Sequence, residues 1–233
     1  MIRAALFALL ILLTAGAARA QSVDAAIVLA VDASSSVSHA EFGLQMDGIA
    51  AALRDPEVAR AIRSGPAGRV AVTIVQWSGL GQVRQALEWR AVGDASEVEA
   101  LAKEVENTPR YFSAGGTAVG QALLFAAEMF DLLPWETGRR VIDVSGDGRT
   151  TEGPVVAGAR DGIVARSIVI NGLPILSQEG DIDRYYRDEV IGGYGAFIEV
   201  AEDYGAFAAA MRRKLLREVR HDPLISRLGP AAR

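Results

Sequence analysis

Two carboxylates and three hydroxyls stand where oxygen chemistry could be done. Asp32, Ser34 and Ser36 alternate in "VDASSSVS" (Val31 to Ser38), directly after the apolar run "AIVLAV". Thr117 follows Gly115-Gly116, and Asp147 stands in "SGDG". Short acidic and hydroxyl side chains are hard oxygen donors. Mg²⁺, with Mn²⁺ as the alternative, takes such donors in near-octahedral sets and retains some of its water. Two carboxylates and neutral hydroxyls only just balance a divalent charge. Such an ion still attracts another anion, naturally a carboxylate from a partner. Ca²⁺ fits less well, because the segment lacks the acidic density of a D-x-[DN]-x-[DN]-G loop. Each piece also has a plainer reading. Asp32 to Ser38 can be a serine-rich turn before a capped helix, Thr117 a helix cap, and Asp147-Gly148 a turn dipeptide. Those plainer readings do not require the three segments to meet.

The elements around these residues decide whether they do meet. Apolar runs alternate with helical patterns, which indicates an α/β fold. "AAIVLAVDA" (Ala25 to Ala33) reads as a strand buried on both faces. Ser38 followed by Glu41 is a capping-box signature that opens the helix "AEFGLQMDGIAAALRD". "RVAVTIVQW" and "QVRQALEW" are separated only by Ser78-Gly-Leu-Gly81, too little for a crossover helix. They form an antiparallel hairpin with the second strand at the sheet edge. "RRVIDVSGD", "RSIVINGL" and "GAFIEVA" follow as strands four to six, with helical patterns between them and after them. In a doubly wound sheet, ligands bind beyond the carboxyl ends of the strands, where the strand order reverses. If strands one and four are neighbours there, Asp32 and Asp147 come together.

Composition narrows the function. Arg3, the apolar "AALFALLILL" and Ala18-Arg19-Ala20 have the layout of a secretory signal over residues 1–20. The apolar stretch is shorter than the roughly 20 residues of a membrane span. A single domain is expected over 21–220, with a tail over 221–233, periplasmic or secreted and without stable membrane insertion. Removing Arg3 and Arg19, and no acid, takes the formal charge from −5 to −7, with 22 basic residues against 29 acidic. An acidic surface argues against nucleic acid. There is no cysteine and only two histidines, His39 and His221, which removes thiolate chemistry and a nitrogen-rich metal site.

With D-x-S-x-S at Asp32-Ala-Ser34-Ser-Ser36, G-G-T at Thr117 and Asp-Gly at Asp147, the chain resembles the von Willebrand factor type A family over nearly all of residues 24–220. It most resembles the small secreted bacterial members, many without assigned function. The five positions match the residues of that family's metal-ion-dependent adhesion site. The resemblance implies a doubly wound, mostly parallel six-stranded sheet of order 3-2-1-4-5-6, with one antiparallel edge strand and helices on both faces. It also implies a Mg²⁺ that grips an acidic group of a protein ligand. Asp143, in "VIDVSGDG", departs from the pattern, since that strand is usually apolar. A buried acid costs several kcal/mol unless it is paired. Arg139 or Arg140 is the expected partner, or else Asp143 tunes the metal site from outside its ligand set.

Two other classes stand against a non-catalytic binding module. A metal-assisted hydrolase or phosphoryl-transfer enzyme would have a second acid two residues after its Asp, where this chain has Ser34. No G-x-S-x-G elbow occurs either. A periplasmic small-molecule receptor commonly uses two lobes around a cleft, and this chain is sized for one domain.

Overall fold

A computed structural model describes residues 22–220. The signal expected over 1–20 and the tail expected over 221–233 lie outside the described residues.

Five strands, β1 (Ala25–Asp32), β2 (Val70–Trp77), β3 (Val83–Val92), β4 (Arg140–Gly146) and β5 (Ile168–Pro174), form one sheet of order β3-β2-β1-β4-β5. Every pairing is parallel except β2 with β3, which is the expected edge hairpin. β1, β2 and nearly all of β4 are buried residue by residue, as the central strands of a sheet covered on both faces must be. Alternate residues of β1 feed two cores. Ile27, Leu29 and Val31 face one, and Ala26, Val28 and Ala30 face the other.

The first core is closed by α1 (His39–Arg54), α2 (Pro56–Arg63), α3 (Ala95–Glu106) and α7 (Phe207–Val219). The second is closed by α4 (Val119–Glu128), α5 (Val156–Ala165) and α6 (Ile182–Tyr185). α6 runs on into a widened turn closed by the Ile191 N–H on Tyr186 O at 3.0 Å. α1 starts where the sequence puts it. Ser38 Oγ accepts the Glu41 N–H at 3.2 Å, and the Glu41 carboxylate accepts the Ser38 N–H at 2.7 Å.

The sixth strand is reduced to two isolated parallel bridges on β5, Gly172 with Ile198 and Ile175 with Ala201. The two bridges keep the same register, and the break between them falls at Pro174. Ala201 N–H still donates to Pro174 O at 3.0 Å, but Pro174 has no N–H with which to complete the pair.

Candidate functional site

β1 ends at Asp32, wholly buried and still in register with Trp77 of β2. Asp32 Oδ1 accepts the Ser34 N–H at 2.7 Å, and this tight Asx turn lifts the chain out of the sheet. The turn carries Ser36 across to the end of β4, where its Oγ donates to Asp147 Oδ1 at 2.8 Å. Ser34 Oγ lies 3.1 Å from Ser36 Oγ. Four of the five expected residues are therefore linked at one sheet edge, above adjacent strands β1 and β4.

Thr117 borders this group without a hydrogen bond to it. Its hydroxyl lies 3.9 Å from the position a Cβ on Gly148 would take, beside Asp147. The backbone of Thr117 is pinned by Thr151, whose Oγ1 accepts its N–H at 2.9 Å and whose N–H donates to its carbonyl at 2.8 Å. α4 starts after Ala118, so Thr117 does not cap it.

The loops are tied to one another rather than left to solvent. Ser35 N–H donates to Gly115 O at 3.2 Å. Arg110 donates to the carbonyls of Ala33 and Ser34 at 3.1 and 2.9 Å. Buried Gln76, at the end of β2, holds the Arg110 loop from both sides, donating to Pro109 O and accepting the Tyr111 N–H. Gly115 sits at φ +127°, and a side chain there would overlap Gln82 and stand 2.8 Å from Ser78 Oγ.

The floor of the site is dry and negative. Asp32 Oδ2 is buried with no hydrogen-bond partner among the described residues. Burial pushes the Asp32 carboxyl up from 3.8 to about 7, opposed by its Ser34 hydrogen bonds and helped by the Asp147 charge. Gly146 makes room for this carboxylate, since a Cβ there would lie 2.8 Å from Asp32 Oδ2 and 2.9 Å from the Tyr186 hydroxyl. Burial, with the Asp32 charge second, raises Tyr186 far above its ordinary value. Tyr204 is raised for the same first reason, so it remains a donor, 3.0 Å from Asp147 Oδ2. The other end of the site is open: Ser36 is exposed, while Asp32 and Asp147 are at 0 %.

Tyr204 and Gln45 escaped the sequence reading. Gln45 donates to Asp32 O at 3.0 Å from the second turn of α1, where a helical position facing the sheet was the only clue. Asp143 has a different partner from the one expected. It meets Lys214 of α7, Nζ to Oδ1 2.9 Å, instead of Arg139 or Arg140. Arg140 instead reaches Arg166 O, and Arg139 reaches Arg220 O.

As chemistry, the arrangement is a shallow cup of oxygen atoms, with two carboxylates below and hydroxyls above. Among the described residues no three His, Cys, Asp or Glu side chains cluster as a metal site, so any ion here would depend on the serine and threonine hydroxyls as well.

A family model described as "Protein of unknown function (DUF1194)" matches residues 22–223. No curated protein matches the chain. Among solved structures, proximal thread matrix protein 1 from the mussel byssus aligns with a TM-score of 0.63 at 15% identity, over 85% of this chain and 48% of its own. One structure of that mussel protein has a zinc-occupied MIDAS motif. The pilus adhesin SpaC from Lactobacillus rhamnosus GG aligns at 0.61 and 15% identity, over 86% of this chain and 31% of its own. A von Willebrand factor type A protein from Catenulispora acidiphila aligns at 0.56 and 16%, over 84% and 43%. The chain thus spans half or less of these proteins. At such identities the likeness is one of fold, and the fold is that of a von Willebrand factor type A domain.

Proposed function

The chain belongs to the DUF1194 family, whose description assigns no activity, and we propose from its site that it is a divalent-metal-dependent, protein-binding module of adhesion type. The observation that carries this reading is the buried, unpartnered Oδ2 of Asp32 in the same cup as Ser34, Ser36 and Asp147. A carboxylate oxygen held away from water with nothing to bind is costly. A cation beside it would remove that cost.

Asp32, Ser34, Ser36, Thr117 and Asp147 would hold the ion directly or through water. The all-oxygen set suits Mg²⁺ or Mn²⁺. When bound, the ion would supply a Lewis-acidic position for an incoming carboxylate, which in this reading belongs to a protein partner. The chain's own part is to aim the oxygens, through the Asp32–Ser34 turn and the Ser36–Asp147 bond, and to keep the floor dry. The exposed edge at Ser36 leaves that partner a way in. The charged start and apolar run of residues 1–20 support a periplasmic or secreted location. The mussel matrix protein and the pilus adhesin, both of this fold, lend the same reading support.

Thermal unfolding of chelator-treated protein, with and without Mg²⁺ or Mn²⁺ and beside Asp32→Ala, tests it. At about 100 times the dissociation constant, an ion that binds only the folded state adds about 2.7 kcal/mol. For a domain of this size that is a rise of roughly 5–11 °C in Tm. The rise is expected in the wild type and not in Asp32→Ala. Superimposable wild-type curves with and without metal would sink the reading.

A further inference from the structure

Away from the cup, on the opposite side of β4, a second polar group is sealed inside the protein. Lys214 and Glu218 of α7 are wholly buried, as are Asp143 of β4 and Asn171 of β5. Lys214 Nζ lies 2.9 Å from Asp143 Oδ1 and 2.7 Å from Glu218 Oε1. Asn171, in register with Asp143 on the next strand, donates from Nδ2 to the same Glu218 oxygen at 2.8 Å. Phe197 N–H fixes the Asn171 Oδ1 at 3.1 Å, and the Phe197 ring faces Nζ at 5.1 Å.

As ions, these groups are poorly matched. Two acids share one ammonium. Among the described residues neither oxygen of Asp143 has a hydrogen bond, close as Nζ lies to Oδ1, and Glu218 Oε2 has none either. Arg139 also feels the Glu218 charge. A dry site with an uncompensated charge is expensive. Burial raises the Asp143 carboxyl, opposed by Lys214 and reinforced by Glu218. Moving the proton from Lys214 to Asp143 would leave an amine facing a carboxylic acid, with Glu218 beside both.

We propose that Lys214 and Asp143 condense into an intramolecular amide (isopeptide) bond, with Glu218 carrying the proton. The lone pair of Nζ attacks Cγ of protonated Asp143 and opens its carbonyl to a tetrahedral centre. Glu218 takes a proton from the attacking nitrogen and gives it to the Asp143 hydroxyl. The C–O bond then breaks, and one water leaves as the Nζ–Cγ amide forms. Glu218 ends as it began, and no redox partner is needed. Positioning supplies the rate, because Nζ is already held 2.9 Å from Oδ1 of the carboxyl whose Cγ it attacks. Removal of two opposite charges from an apolar interior supplies the driving force. Asn171 is a positioning residue: it holds Glu218 against Nζ.

The test is mass spectrometry of the full-length protein, expressed, purified folded and then denatured, beside Glu218→Gln. The intact wild-type mass should fall one water short of the mass of the recovered chain, its two ends having been identified by sequencing. Proteolysis should give a branched peptide that joins the segment around Asp143 to the segment around Lys214, with cleavage after Lys214 lost. Folded Glu218→Gln should show the full mass and two separate peptides. A folded wild type in which residues 143 and 214 are recovered in separate peptides overturns the proposal. So does a water deficit that maps to a succinimide at Asp147-Gly148 instead. Because this test concerns α7 and β4 and not the cup, its result is independent of metal binding.

Discussion

Asp32 couples burial to chemistry in one side chain. Its carboxyl is raised to about 7 by the loss of water around it, while an unfolded aspartate titrates near 3.8. Between those values the folded, metal-free protein holds a proton that the unfolded chain has released. Its stability therefore falls as pH rises from about 4 to 7 and levels off above, by about 4 kcal/mol at most from this group. A metal ion needs the ionised form, so affinity should move the other way. We expect Mg²⁺ or Mn²⁺ affinity to gain about tenfold per pH unit up to about 7, with one proton displaced, and to be flat beyond. Calorimetric titration in buffers from pH 5 to 8 measures both slope and proton release, and a flat profile would separate Asp32 from the ion. At this scale the sequence was legible where the signal was short-range. The spacing of Asp32, Ser34 and Ser36 announced the turn, and the glycine pair announced the loop before Thr117. The hydroxyl of Tyr204 on Asp147 was not legible, since nothing near "EDYGAF" distinguishes a donor from a core tyrosine.

Among the elements, α1 shows how one serine-rich stretch serves two ends. Ser38 caps the helix through its box with Glu41, whereas Ser34 and Ser36 turn toward Asp147. The polar turn and the oxygen cup are therefore parts of one segment. Ser38→Ala should cost about 1 kcal/mol of stability through the lost cap and leave metal affinity unchanged. Denaturant unfolding beside metal titration checks both halves, and a large loss of affinity would mean that the cap also sets the cup. α7 held a signal that the chain alone could not decode. Its buried stripe, Phe207, Ala210, Met211, Lys214, Leu215, Glu218 and Val219, keeps helical spacing while placing two charged residues among apolar ones. Such a stripe says that these charges need partners inside. It cannot say that the partners come from β4 and β5, because that depends on which strands face the helix. Pro174 was likewise visible, but its effect on a sixth strand follows only from the register it interrupts.

Across the whole molecule, the alternation of apolar runs and helices indicated the α/β class and the edge hairpin, whereas the strand order, with β1 beside β4, rested on the family resemblance, because right-handed connections alone allow other orders. The same topology sorts the ends of the elements. Asp32, His39, Thr117 and Asp147 gather at the carboxyl edge of the sheet. The first described residues lie at the opposite edge, where Val23 N–H donates to Glu136 O at 3.0 Å. So does the last turn of α7, where Arg220 O accepts from Arg139. β1 thus runs straight from the entry of the chain to the cup, clamped in register by β2 on one side and β4 on the other. Mechanically, a pull between the cup and the chain's entry loads β1 along its length. β1 is already extended, so its own covalent backbone carries that load, whereas a pull between Ser22 and Arg220 works against the non-covalent pairings and packing of the fold. With no native cysteine to interfere, handles on single cysteines replacing Ser22 and His39 can be compared with handles at Ser22 and Arg220 in a force spectrometer. The first pair should rupture at the higher force, and equal forces would mean that β1 is not the load path. A protein built this way would resist tension applied at the cup better than tension applied between Ser22 and Arg220.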